Sequence, residues 1–321
     1  MSTKRRSPRK NYCQSKDLID NTNQLLLNNI VFQKRDIEAI EISPDYSKIV
    51  IYKPNSINDY FSFNVDYRNK LGSGSYSKVY KLFDNAQKVH LALKIEENDF
   101  PSEKEISDTI WKNKCGAIDE IYIGTYNENH LYLMSLAQGG TLEELKTYTS
   151  DWTLEKRKML YKSILEQIRK QIVCLLNSGF VYSDFKLDNI LVDCDQTGIK
   201  IYLGDLGSAV PNPSDNEQVA TYPPPEMEEE FMNMDIEDGE RGFFKIFEEK
   251  KESIISWGLG MLSFLLISDD AESNHFLFSN KYNAKKHDEA IQKLNYFYGS
   301  GFGDYLHKIP NKRKSINEAI I

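Results

Sequence analysis

The sequence predicts an α+β fold in two lobes, a small β-rich lobe carrying one helix followed by a larger, mainly helical lobe. Three observations predict it. Short β-prone runs, bounded by Pro, Gly, Asn and Asp, fill residues 45 to about 137. After "QGGTLEEL" the apolar spacing becomes helical. The 321 residues are 40% hydrophobic and 27% charged, enough for one large or two modest domains with real cores.

Residues 1–20 form a basic, polar tail, expected to be disordered, with Lys4, Arg5, Arg6, Arg9 and Lys10. Residues 21–60 are an N-terminal extension. The runs "KIVIYK", "YFSFNVDYRNKLG", "SKVYKLF" and "VHLALKI" read as a meandering antiparallel sheet. "SEKEISDTIWKN" reads as a helix with Ser102 and Glu105 set as a capping box. "EIYIGTYN" and "HLYLMSLA" supply two further strands. The helical lobe opens with residues 153–179, where Leu160, Ile164, Ile168, Ile172, Leu175 and Leu176 fall at helical spacing and Gly179 closes the end. The most apolar segment, Ile254–Ile267, is too short to span a bilayer comfortably and reads as a buried helix.

A net charge of −8 and a pI near 5.3 argue against a general nucleic-acid binder. Cys13, Cys115, Cys174 and Cys194 show no CxxC or Cys/His spacing, so neither a zinc site nor a disulfide framework is expected and a reducing compartment fits. The basic N-terminus lacks the apolar stretch of a secretory signal.

Several short stretches carry chemistry. In "LGSGSYSKVY" (71–80), Gly72 and Gly74 let backbone amides approach phosphate oxygens that a side chain would block, and Ser77 stands where a third glycine is usual. Val79 follows at an offset suited to roofing an adenine ring. Lys94 ends "LALK", where its charge suits α- and β-phosphate oxygens. It needs a carboxylate partner. Glu103, with Ile106 and Ile110 on its helical face, is favoured over Glu105. "FVYSDFKLDNILVD" supplies Asp184 to orient a hydroxyl and accept its proton, Lys186 to neutralise a transferring phosphoryl group, and Asn189 to bind Mg²⁺ with Asp205 of "LGDLGSA".

In this order, from Gly-rich loop to lysine, glutamate, D-x-K-x-x-N, D-x-G and "PPE", the chain from about Phe61 onward resembles a eukaryotic-type serine/threonine protein kinase. The resemblance implies lobes of about 61–137 and 138–321. Leu71, Gly72, Ser73, Gly74 and Ser75 match its Gly-rich loop, and Val79, Ala92 and Leu191 its adenine-packing positions. Met134 matches the gatekeeper, with the Ser135–Ala137 backbone, including Ala137, at the hinge. Lys94, Asp184, Lys186, Asn189 and Asp205 match the phosphate, catalytic and metal positions, and Arg313 the arginine that pairs with Glu226 of "YPPPE". ATP and Mg²⁺ are the implied cofactors and protein hydroxyls the implied substrates, with a monomer, no specific nucleic acid and no membrane as partner.

The chain departs from the pattern at Tyr182 (usually His), Ser183 (usually Arg), Leu206 (usually Phe) and Ser253 (usually Asp). Loss of the Ser183 cation removes the usual sensor of a phosphorylated activation loop. The trimmed helical lobe is similar to kinases of large DNA viruses, which implies an intracellular location, cytoplasmic or nuclear, in the host cell if viral. The acidic run Glu226–Glu240 reads as a solvated loop, against the reading that it selects basic substrates. Competing readings are a pseudokinase scaffold, which binds nucleotide or a partner without turnover, and a small-molecule kinase, against which Lys186 and "YPPPE" speak.

Overall fold

The computed structural model describes residues 40–45, 47–52, 60–73, 77–85, 89–97, 104–126, 128–195, 198–211, 218–219, 224–225, 243–244, 251–268 and 284–320. The basic tail and most of the acidic run lie outside them. The chain divides into two compact units. One holds residues 14–112 and 118–138, the other residues 113–117 and 139–321 with the first 13.

The first unit is an antiparallel seven-stranded sheet and one helix. In chain order its strands are β1 (Ile40–Ile42), β2 (Lys48–Tyr52), β3 (Tyr60–Ser73), β4 (Ser77–Phe83), β5 (Val89–Glu97), β6 (Glu120–Tyr126) and β7 (Asn129–Ser135). They are arranged β1-β2-β3-β4-β5-β7-β6. Helix α1 (Lys104–Asn113) lies between β5 and β6 in sequence. The strands form because β-branched and aromatic residues alternate with smaller or polar ones, and that alternation sorts side chains onto two faces. One face is apolar throughout: Ile49, Ile51, Phe63, Leu82, Leu91, Leu93, Ile121, Ile123, Leu131 and Leu133 form one buried cluster. Strands β1 and β2 therefore belong to the sheet, and β2 contributes two residues to its core.

The other face carries polar groups. Ala92, Lys94 and Glu96 of β5 pair across to Met134, Tyr132 and His130 of β7. Glu120 and Tyr122 of β6 continue the same rows. Ser107 of α1 donates to the Glu120 carboxylate at 2.9 Å, and both are buried. Ser102 lies outside the described residues.

The second unit begins with the short strand β8 (Gly140–Thr141) and helix α2 (Leu142–Tyr148). Both glycines before α2 are required. A side chain at Gly139 would meet the Val192 carbonyl at 2.6 Å, and Gly140 has φ +82°. Thr141 and Glu144 close a capping box. Helix α3 (Leu154–Asn177) starts at the Thr153 cap and buries Ile164, Leu165, Ile168, Ile172 and Leu175, as the spacing predicts. Helix α4 (Lys251–Ile267) is buried on all sides from Ile254 to Leu266, as expected of a core helix, and α5 (Ala284–Tyr298) packs beside it. No helix among the described residues is long and apolar enough to cross a membrane.

The expectation of no disulfide is overturned. Cys115 is bonded to Cys174 of α3 across a sequence separation of 59, and no described cysteine is free. Local spacing cannot reveal such a pair, because folding alone brings the two Cα atoms to 5.3 Å. Asn113, beside it, donates to Ser178 at 2.8 Å. Residues 113–117 are thereby fastened to the helical unit, although the residues on either side belong to the sheet unit.

Candidate active site

The sequence-predicted residues assemble in two sets, one in each unit. The helical unit holds the loop between β9 (Phe180–Tyr182) and β10 (Ile190–Asp195). Asp184 is almost fully buried there, and its Oδ2 accepts from Lys186 Nζ at 2.7 Å and Asn189 Nδ2 at 2.7 Å. Asn189 Nδ2 also reaches the Asp184 carbonyl at 3.2 Å. Two tight backbone contacts shape the loop, Phe185 N to Ser183 O and Lys186 N to Asp184 O. Between Asp184 and Lys186 the buried Phe185 ring lies against Gly258 of α4, where a Cβ would overlap it. The apolar core helix thus fixes the loop from below.

Strand β10 pairs with β11 (Gly198–Leu203), ending on Ile190 opposite Leu203. The next step beyond that pair joins Gly204 N to the Asn189 carbonyl at 2.8 Å, which brings Asp205 beside Asn189 in the chain's path. The outer side of β11 is held by two glutamines of α3. Gln167 bonds the backbone at Ile199 and Ile201, and Gln171 the backbone at Ile201 and Leu203. Each amide supplies one donor and one acceptor, as a neighbouring strand would. Tyr182, fully buried, donates to the Gly204 carbonyl at 3.2 Å. Asp205 adopts φ 51°, ψ 66°, a left-handed conformation that an aspartate tolerates and that surrounding structure must hold in place. Leu206 is fully buried, as an apolar plug should be.

This donor set suits Mg²⁺. The ion takes oxygen ligands, typically one or two from protein with the rest from water and phosphate. With both Nδ2 contacts directed at Asp184, Asn189 has its Oδ1 left for a cation, and Asp205 adds a carboxylate. Leu191, half-buried on β10, pairs with Thr141 and Tyr202.

The sheet unit holds the second set. Gly72 and Ser73 end β3 opposite Val79 and Lys78 of β4, while Gly74 and Ser75 lie outside the described residues. Leu71 is exposed. Val79 pairs with Lys94, and Ala92 with Met134, so all four share the polar face. Ser135 follows Met134 and donates its N–H to the Asp119 carbonyl at 2.8 Å, and Ala137, two residues on, is half-buried.

The partner of Lys94 was missed. Glu103 lies outside the described residues, as does the side chain of Glu105. The carboxylate on the page is Glu96, whose Oε1 lies 3.2 Å from Lys94 Nζ. The signal was present in "LALKIEE": residues two apart on a strand share a face. Arg313 is found against α4. It donates to Ser253 Oγ at 2.8 Å and to the His307 carbonyl at 2.8 Å, and stacks on Trp257 at 4.9 Å, while Glu226 and Thr221 lie outside the described residues. Ser253 therefore serves as an anchor for Arg313.

Comparison with known proteins agrees in kind. The sequence pattern of the protein kinase domain matches residues 65–232, just over half of the chain. The serine/threonine-protein kinase PKH3 of Eremothecium gossypii is 24% identical over 158 residues, covering 44% of this chain and 20% of that protein. The protein of the same name from Saccharomyces cerevisiae is 23% identical over 159 residues, covering 44% and 16%. The chain spans a fifth or less of the length of these curated relatives.

Proposed function

This chain belongs to the protein kinase domain family, and from that premise we propose that it transfers the γ-phosphate of Mg-ATP to serine and threonine hydroxyls of protein substrates. The observation that carries the proposal is the Asp184 carboxylate gripped by both Lys186 and Asn189.

Asp184 orients the substrate hydroxyl and takes its proton as the oxygen–phosphorus bond forms and the bond to the ADP oxygen breaks. Lys186, bound to that carboxylate, is placed to balance charge on the moving phosphoryl group. Asn189 and Asp205 would hold Mg²⁺, which neutralises triphosphate charge when bound. Lys94 meets phosphate oxygens, while Val79, Ala92, Met134 and Leu191 pack the base. Lysine two residues after the aspartate, and the similarity to PKH3, support serine and threonine over tyrosine.

The test is transfer from radiolabelled ATP to general protein substrates and to the chain itself. Asp184→Asn should lower the rate about 10²–10⁴-fold. Absence of transfer from the wild type, with Mg-ATP still stabilising the fold, would instead favour the pseudokinase reading that Ser183 and Ser253 motivate.

A further inference from the structure

We infer that Glu96 is a positioning residue for Lys94, holding its ammonium group in place for nucleotide phosphates from within the same strand. The inference rests on the reading of Lys94 as a phosphate-binding lysine and adds to it a partner that no helix supplies.

Lysine and glutamate are seldom buried, and a buried pair survives only when each charge answers the other. Here the whole Lys94 residue is 2% exposed and Glu96 5%. Because strand side chains alternate, Lys94 and Glu96 project from the same face two residues apart, while Leu93 and Ile95 between and beside them turn to the apolar face. The Tyr132 ring, fully buried and directly across on β7, lies 5.9 Å from Nζ on that face. Two anchors therefore come from the sheet itself: a carboxylate along the strand and an aromatic ring across it. An ammonium group has three hydrogens, so a single carboxylate contact leaves donors for a phosphate while limiting where the nitrogen can move. Pre-orientation of this kind lowers the ordering cost of binding.

Position is what distinguishes this from a purely structural ion pair. If Glu96 served only packing, its replacement would lower stability and leave ligand preference alone. If it positions Lys94, the loss must fall on phosphate-bearing ligands and vanish once Lys94 is gone.

The experiment measures dissociation constants for Mg-ATP and for adenosine by calorimetry on the full chain, with thermal melting recorded separately. Glu96→Gln, which keeps volume and an acceptor atom, should weaken ATP binding about tenfold and adenosine binding by less than about twofold. In a Lys94→Met background, Glu96→Gln should change ATP affinity no further. Should Glu96→Gln not fold, Glu96→Asp carries the same test, with a smaller loss expected for ATP and none for adenosine. Equal or tighter ATP binding by the folded variant overturns the inference alone, as does an equal loss for adenosine. Failure of the wild type to bind ATP overturns the functional reading and this inference with it.

Discussion

Two lysine–carboxylate pairs, each two residues apart in sequence, are built in this molecule by opposite means. Lys94 and Glu96 stand on a strand, where the backbone repeat alone places both on one face, at 3.2 Å and nearly dry. Asp184 and Lys186 stand in a loop, where no repeat exists and the backbone must be bent to let them meet at 2.7 Å. The loop pair is held by added parts: the Asn189 amide, the Phe185 ring against α4, and the β10–β11 hairpin. A strand thus fixes a charge through regularity, and a loop fixes one through redundancy.

That difference gives the largest predicted effect. Lys94→Met strands Glu96 as a buried carboxylate and should cost about 3–5 kcal/mol in urea unfolding, with Glu96→Gln restoring part of it. Lys186→Met leaves Asp184 still bonded to Asn189 and should cost only about 1–2 kcal/mol. Equal losses would erase the distinction.

A second change attacks the redundancy directly. Gly258→Ala inserts a methyl group into the Phe185 ring and should cost about 1–3 kcal/mol. Because the strain falls between Asp184 and Lys186, phosphoryl transfer should drop more than adenosine binding does. An unchanged turnover number would show that the loop does not lean on α4.

The smallest effect comes from a group outside both pairs and sets the pH at which they are best compared. His287 is fully buried against Trp257 and contacts the Leu306 carbonyl at 2.7 Å. Burial above all, aided by the Lys308 and Arg313 charges and opposed by the Leu306 carbonyl and Asp288, holds its pKa below the ordinary 6.5. The unfolded chain then takes up a proton that the folded chain refuses. Stability should be whole above pH 6.5 and decline below it, with a slope of at most about 1.4 kcal/mol per pH unit. His287→Gln should flatten that slope in pH-dependent melting. Glu166, held low by Arg169, adds its own loss only as pH falls below its ordinary 4.5.

What could be read from the sequence follows the range over which each feature is encoded. The strands from β2 to β7 announce themselves because alternation is local, and α3 and α4 because their apolar spacing is. Asp184, Lys186 and Asn189 are legible because a single loop carries all three. The short strands β8, β9 and β12 (Ala209–Pro211) were not, since two or three residues become a strand only by pairing with distant ones. The Cys115–Cys174 bond and the grip of Gln167 and Gln171 on β11 are equally non-local. Glu96 is different in kind. Its cue lay beside Lys94, but a helical partner was sought, and the strand's own repeat was passed over.

The pairing of β1 and β2 with the rest of the sheet bears on where the protein can be cut for laboratory work. Recognisable kinase sequence starts at residue 65, yet Ile49, Ile51 and Phe63 lie within the apolar cluster upstream of it. A clone trimmed to the homology would remove three side chains from that interior and leave β3 without its outer neighbour. Poor solubility of such a clone would reflect the trimming rather than the kinase.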